Sequence, residues 1–223
     1  MPVPSLFAAL VLPLLLALPA AAQDRPEEPP LEPDRLARGV AASAMMALPL
    51  VDGQGRSLGH IRDVLLQARD SHLAGVIALP PGDAPDGPRP VVIPWSAVRL
   101  GEGAVRVDVP EGAGLDAFAL PADGVAPLPG QGRTLGNLIG DYAVLRGGVG
   151  FGTVRDVVFD PADGVLIAVV VEPAGRFGSG RAAAYPYDAA AWTPEAGVYA
   201  LPYGEGEVAD HPPFDLDGAR GSD

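Results

Sequence analysis

Apolar residues along this chain come in short runs cut by Gly, Pro and Asp, and helical three-to-four spacing is rare. Residues 46–51 read as a first strand closed by the turn Asp52-Gly53-Gln54-Gly55. Residues 57–66, 74–79 and 90–94 follow as further strands, 95–98 as one helical turn, and 104–109 as a closing strand. The same order returns downstream: 142–145, a glycine turn at Gly147-Gly148, 151–159, a turn at 160–164, 165–171, 184–187 and 197–201. The Ala-rich segment 36–48 predicts a short helix or the lead-in to the first strand. Short strands joined by tight turns imply an all-β fold of two tandem small antiparallel β-barrels. Each unit has too few strands for a sandwich, and a parallel α/β sheet would need helices for which there is no room.

The order returns because the sequence does. Gly59-His60-Ile61-Arg62-Asp63-Val64-Leu65-Leu66 is echoed by Gly152-Thr153-Val154-Arg155-Asp156-Val157-Val158-Phe159. Aligned without a gap, residues 59–82 and 152–175 share nine identities in twenty-four positions. Asp70, Leu73, Val76, Pro80 and Gly82 match Asp163, Leu166, Val169, Pro173 and Gly175.

A glycine turn, the motif Gly-x-Ile/Val-x-Asp-Val, a hydrophobic strand and then a proline before a helical turn resemble the PRC-barrel family. That small β-barrel is shared by the photosynthetic reaction-centre H subunit and the C-terminal part of a ribosome maturation factor. The residues that carry the resemblance are 58–64 and Val92-Ile93-Pro94-Trp95 in the first copy. In the second they are 152–157 and Ala184-Tyr185-Pro186-Tyr187. The tail from Glu207 to Phe214 also looks like the short acidic, proline-containing extension that follows such barrels. Ala182-Ala183-Ala184 departs from the pattern, where branched residues are expected, and predicts an edge strand. The resemblance implies barrels at 45–110 and 136–204, a linker at 111–135 and an acidic tail at 205–223. It also implies a binding or assembly module with no defining catalytic constellation, an analogy of fold and not of site.

The N-terminus changes where such a module would work. Residues 6–22 are apolar and uncharged, and Ala20-Ala21-Ala22 before Gln23 has the form of a signal-peptidase site. Pro13 and Pro19 interrupt the run, which argues against a membrane span. The expectation is a cleaved signal at 1–22, a Pro/Glu-rich tether and lead-in at 23–44, and a periplasmic product, with secretion as one alternative and, since no positive residue precedes the apolar run, an uncleaved N-terminal anchor as the other. With no cysteine there is no lipid-anchor acceptor, no disulfide and no thiolate site, so no stable membrane anchor remains after cleavage. The net charge of −13 repels phosphate backbones, so nucleic acid is not expected, and the protein partner is what the resemblance implies.

Candidate chemistry is sparse. Asp63 and Asp156 sit where strict alternation would bury them. That suggests a bulge or a carboxylate accepting backbone N–H groups, and a paired acid–base site is the sharper alternative. Each is followed by Val in mid-strand and lacks the Thr/Ser-Gly context of a two-lobed protease. His60, His72 and His211 have no zinc-type spacing. The Asp-Gly turns lack the carboxylates and terminal Glu of a calcium loop. The reading is therefore no catalytic, cofactor or metal residue. Arg176, Phe177, Arg181, Tyr187 and Trp192 are the candidate partner-binding surface, and a periplasmic small-ligand or metal-ion binder is the alternative function. A cluster of Tyr185, Tyr187, Trp192 and Tyr199 on one exposed face would add to that surface.

Overall fold

The computed structural model describes residues 31–67, 70–82, 89–110, 113–118, 133–178, 181–208 and 211–215. The expected signal segment, the tether up to residue 30 and most of the expected linker lie outside the described residues. The chain begins with helix α1 (Pro33–Arg38), strand β1 (Val40–Ala41) and helix α2 (Ala42–Ala47). A first module follows as β2 (Pro49–Asp52), β3 (Ser57–Leu66), β4 (Leu73–Leu79), β5 (Val91–Pro94), β6 (Val98–Gly101) and β7 (Ala104–Val107). Helix α3 (Leu135–Leu138) leads into the second: β8 (Tyr142–Leu145), β9 (Val149–Phe159), β10 (Leu166–Pro173), β11 (Ala183–Pro186), β12 (Trp192–Thr193) and β13 (Val198–Ala200). A last helical turn, α4 (Glu205–Val208), precedes the tail.

Both modules have one topology, β5-β4-β3-β2-β7-β6 and β11-β10-β9-β8-β13-β12. The fold is mostly β, as the pattern of short runs implies, but the sheets are mixed and not purely antiparallel. β2 pairs with β7, and β8 with β13, in parallel. The cause is the 3-10 turn after the fourth strand, Trp95–Ala97 in the first copy and Ala189–Ala191 in the second. It carries the chain across, so the last strand lies beside the first in the same direction. Met46 and Ala47 end helix α2 and do not begin a strand.

The repeated motif is legible as geometry. A Cβ on Gly59 would stand 2.0 Å from the Leu79 carbonyl oxygen, and one on Gly152 would stand 2.1 Å from that of Glu172. Only glycine lets the neighbouring strand approach so closely. Three residues on, the ladder slips between Ile61 and Asp63, and again between Val154 and Asp156. The extra residues are Arg62 and Arg155, so both copies carry the bulge that turns the aspartate out of strict alternation.

The bulged aspartates join the modules. Asp156, fully buried, accepts the Ser43 N–H at 3.1 Å and the Val157 N–H at 2.8 Å, and the Ser43 hydroxyl bonds its second oxygen. Asp63 accepts the Gly136 N–H at 2.9 Å and the Val64 N–H at 2.7 Å. Ser43 lies in α2, ahead of the first module, and Gly136 in α3, ahead of the second. Each aspartate therefore satisfies the otherwise orphaned N-terminal N–H of the helix that leads into the opposite copy. Ala41 at the head of α2 has no side chain to cap it, whereas Thr134 caps α3 at 3.3 Å from the Asn137 nitrogen. The lead-ins cross in the strands as well. β1 pairs with the end of β9, and Thr134 bridges Leu65 in β3.

A pseudo-twofold axis passes beside His72 and Val165, which bridge each other and are the same position of the repeat. Around it the Leu73 N–H donates to the Gly164 carbonyl at 2.9 Å, and the Leu166 N–H donates to that of Ser71. Trp95 of the first module meets Phe159 of the second edge to face at 5.6 Å. It fills the space beside Gly164, where a Cβ would lie 2.4 Å from the indole nitrogen. One apolar cluster runs through both copies and includes Met45 of α2, Leu115 and both residues Leu135 and Leu138 of α3.

With one core and crossed caps, the two copies are expected to unfold in a single transition. Removing a charged acceptor from buried donors costs about 1.5–3 kcal/mol. Asp156→Ala is therefore expected to lower stability by about 3 kcal/mol and the half-buried Asp63→Ala by about half that, each without splitting the urea transition. Two separate transitions, or no loss in either variant, would contradict this account.

Candidate functional site

The copies differ most around β11. Ala183 and Ala184 stand where the first copy has Val91 and Val92, and Tyr185 where it has Ile93. Small side chains on both faces of this terminal strand leave room, and the tail fills part of it. The Phe214 N–H donates to the Ala182 carbonyl at 2.8 Å, and Pro213 bridges Ala183. The expected edge strand is thus extended by the chain's own tail. His211 lies with its ring 4.6 Å from Tyr185 and 4.7 Å from Tyr203. On the outer face Phe214, Leu31 and Leu36 pack on Val158, Ile167, Ala168, Val170 and Ala184.

The tail separates two clefts. The outer one, about 410 Å³, lies between Leu31 and Leu36 on one side and Pro212 and Phe214 on the other, over Ala184 and Pro186. The inner one, about 420 Å³, has walls from Phe151, Phe177 and Tyr185 and carries Arg176, Arg181 and Glu205. Phe177 is held edge to face on Phe151 at 5.4 Å, and the Arg176 guanidinium lies 4.9 Å from the Phe177 ring. Arg176 also pairs with Glu205 at 2.5 Å. Two arginines against one glutamate make this a locally cationic, aromatic recess on an acidic protein.

Three of the five residues expected at a partner surface, Arg176, Phe177 and Arg181, therefore meet in one cleft. The other two do not. Trp192 is buried, with 3% of its surface exposed, and its indole N–H donates to Asp141 at 2.7 Å beneath the Arg133 guanidinium. Tyr187 is half-buried at the junction of the modules, where Asp70 and Arg133 act on it. An exposed face of Tyr185, Tyr187, Trp192 and Tyr199 does not exist either, because Tyr185 and Tyr199 are each 1% exposed. Sequence reasoning assigned Tyr203, Pro213 and Phe214 to no site, and gave His211, beside Pro212, only a packing or capping role, which its ring contacts match. For Pro213 and Phe214 the signal was the apolar content of a tail read for its charge.

The remaining candidates have structural partners. Asp160 and Asp163 accept the Ala162 and Val165 N–H groups two residues on, at 3.0 and 2.9 Å. Asp52 accepts those of Gln54 and Arg56 and pairs with the Arg56 guanidinium at 2.6 Å. Burial works to raise the Asp52 pKa, but these donors outweigh it and hold the carboxyl below its ordinary value. His60 and His72 face solvent, and among the described residues no group of three His, Cys, Asp or Glu is placed to hold a metal ion.

The family model for the PRC-barrel domain matches residues 39–114 and again 132–204. The chain belongs to the PRC-barrel family, in two tandem copies. Both matches begin at the lead-ins, 93 residues apart, the spacing that relates His72 to Val165 across the pseudo-twofold axis. A search of curated proteins gives no match. In the second PRC barrel, burial and then the neighbouring Tyr203 push the Tyr185 phenol up to about 12. Burial likewise takes Tyr187 to about 12, with Arg133 pulling down and Asp188 and Asp70 pushing up.

These phenols keep protons in the native state that the unfolded chain releases near pH 10, so their contribution to stability is lost as pH rises from about 10 to 12. An ultraviolet titration of the folded PRC-barrel pair is expected to show a late ionisation near pH 12 to which Tyr185 and Tyr187 contribute. Tyr185→Phe and Tyr187→Phe should each remove part of that late step. A profile unchanged by both substitutions would refute the assignment.

Proposed function

We propose that this tandem PRC-barrel protein is a non-catalytic binding and assembly module of the bacterial cell envelope, and that it meets its partner through the inner cleft of the second barrel. The observation that carries the reading is how the repeat is used. The residues common to both copies, Gly59 and Gly152, Asp63 and Asp156, are taken up by close strand approach and helix capping. Chemistry not engaged in this way gathers where the copies differ, at Arg176, Phe177 and Arg181. An arginine beside a seated aromatic is a frequent anchor in protein interfaces. The same accounting disfavours a metal-ion binder, since the turn carboxylates already accept backbone N–H groups.

Export rests on the uncharged apolar segment 6–22 and the small residues before Gln23. In a bacterial host the mature chain is expected to begin at Gln23 by mass spectrometry and to fractionate with the periplasm. A photoreactive side chain at position 177 is expected to give a discrete covalent adduct there, and one at the exposed Arg106 of the first barrel is not. Arg181→Glu should reduce that adduct about tenfold, as loss of an interface anchor does. An unprocessed N-terminus defeats the export reading, and equal labelling from both positions defeats the cleft.

A further inference from the structure

The tail does more than end the chain: it sits on β11 as a peptide ligand would. Its Pro213 bridges Ala183, and the Phe214 N–H donates to the Ala182 carbonyl, so it adds an extended segment to the free edge of the sheet. Side chains to either side then enter prepared places. The His211 ring enters a slot between Tyr185 and Tyr203. Phe214 joins the outer apolar patch with Ala184 and Ile167. Backbone pairing at an edge plus pockets for flanking side chains is how sheets recognise extended peptides in general. The first barrel has branched Val91 and Val92 at the matching positions, where the second has two alanines that make the room.

We propose that the edge of β11 is a peptide-docking site for partner segments of the form ring-Pro-Pro-aromatic, and that residues 211–214 occupy it in cis. The inference deepens the proposed binding function, because the occupied edge forms the wall between the two clefts. His211 and Pro213 line both of them. A partner segment that displaces the tail removes that wall and gains access to Arg176 and Phe177. The tail competes from within the same molecule at a high effective concentration, so the free site is revealed only when the tail is weakened.

The chain has no cysteine, which permits a clean lock. Ala183 and Pro213 are cross-strand neighbours, a spacing a disulfide can bridge. In the full chain carrying Ala183→Cys and Pro213→Cys, oxidation is expected to give an intramolecular bond and a monomer on a non-reducing gel. The probe is a labelled synthetic peptide of residues 207–215, followed by fluorescence anisotropy. It should bind the reduced form, whose tail is weakened by the loss of Pro213, and lose binding on oxidation. It should also bind full-length Phe214→Ala at least about tenfold more tightly than the unmodified chain, while a peptide with Ala in place of Phe214 should not bind.

Equal binding to the oxidised and reduced forms, or to neither form when circular dichroism shows the fold intact, overturns the proposal. A disulfide-linked dimer overturns cis occupancy in favour of tail exchange between two copies. Failure here with a position-177 adduct retained would leave the proposed function standing and remove only the peptide site.

Discussion

The structure depends on one exchange: the carboxylate of each copy caps the helix that leads into the other. Backbone N–H groups at the start of α2 and α3 have no partners within their own short helices, and a buried donor without an acceptor costs free energy. Asp156 and Asp63 supply those acceptors across the pseudo-twofold axis. A module taken alone would leave its aspartate with only the Val64 or Val157 N–H, and the Ser43 or Gly136 N–H of its lead-in helix without that acceptor. The crossed pairing of β1 with β9 and of Thr134 with Leu65 works alongside this. β8 covers only Val149–Thr153 of the long β9 and leaves its end open, and the opposite lead-in closes that open edge.

From that constraint the repeated motif acquires a physical reading. The glycine lets the neighbouring strand come close, the arginine is the residue added by the bulge, and the aspartate is turned by the bulge toward the other copy. At the helix start, Gly136 leaves room for Asp63, since a Cβ there would lie 2.8 Å from a carboxylate oxygen. Its counterpart Ser43 instead adds a hydroxyl to the bonds on Asp156. The two ends of the axis are thus equivalent in plan and unequal in strength, with the fully buried end the stronger.

Symmetry that serves stability leaves function to asymmetry. Replacing Val-Val-Ile by Ala-Ala-Tyr in the fourth strand opens both faces of β11, and the tail, the lead-in helix α1 and the Gly175–Phe177 turn gather around that opening. At the matching positions of β5 the first copy keeps Val91, Val92 and Ile93. The clefts sit where one copy has given up volume.

The sequence by itself determined the local content. Five strands of each module, the turns and the duplication follow from patterns a few residues long, because backbone sterics and alternation act at that range; the short β6 and β12 and the bulge at Asp63 and Asp156 needed the strand pairing. The cationic cleft was half legible, since Arg176, Phe177 and Arg181 are close in the chain. Trp192 could not be sorted that way: an indole looks alike at a surface and over Asp141, and only packing distinguishes them. The parallel pairing of first and last strands, the crossing of the lead-ins and the docking of residues 211–214 were decided by tertiary structure alone. Each joins segments far apart in sequence, and their free energy comes from donors, acceptors and apolar surface that only the folded pair brings together.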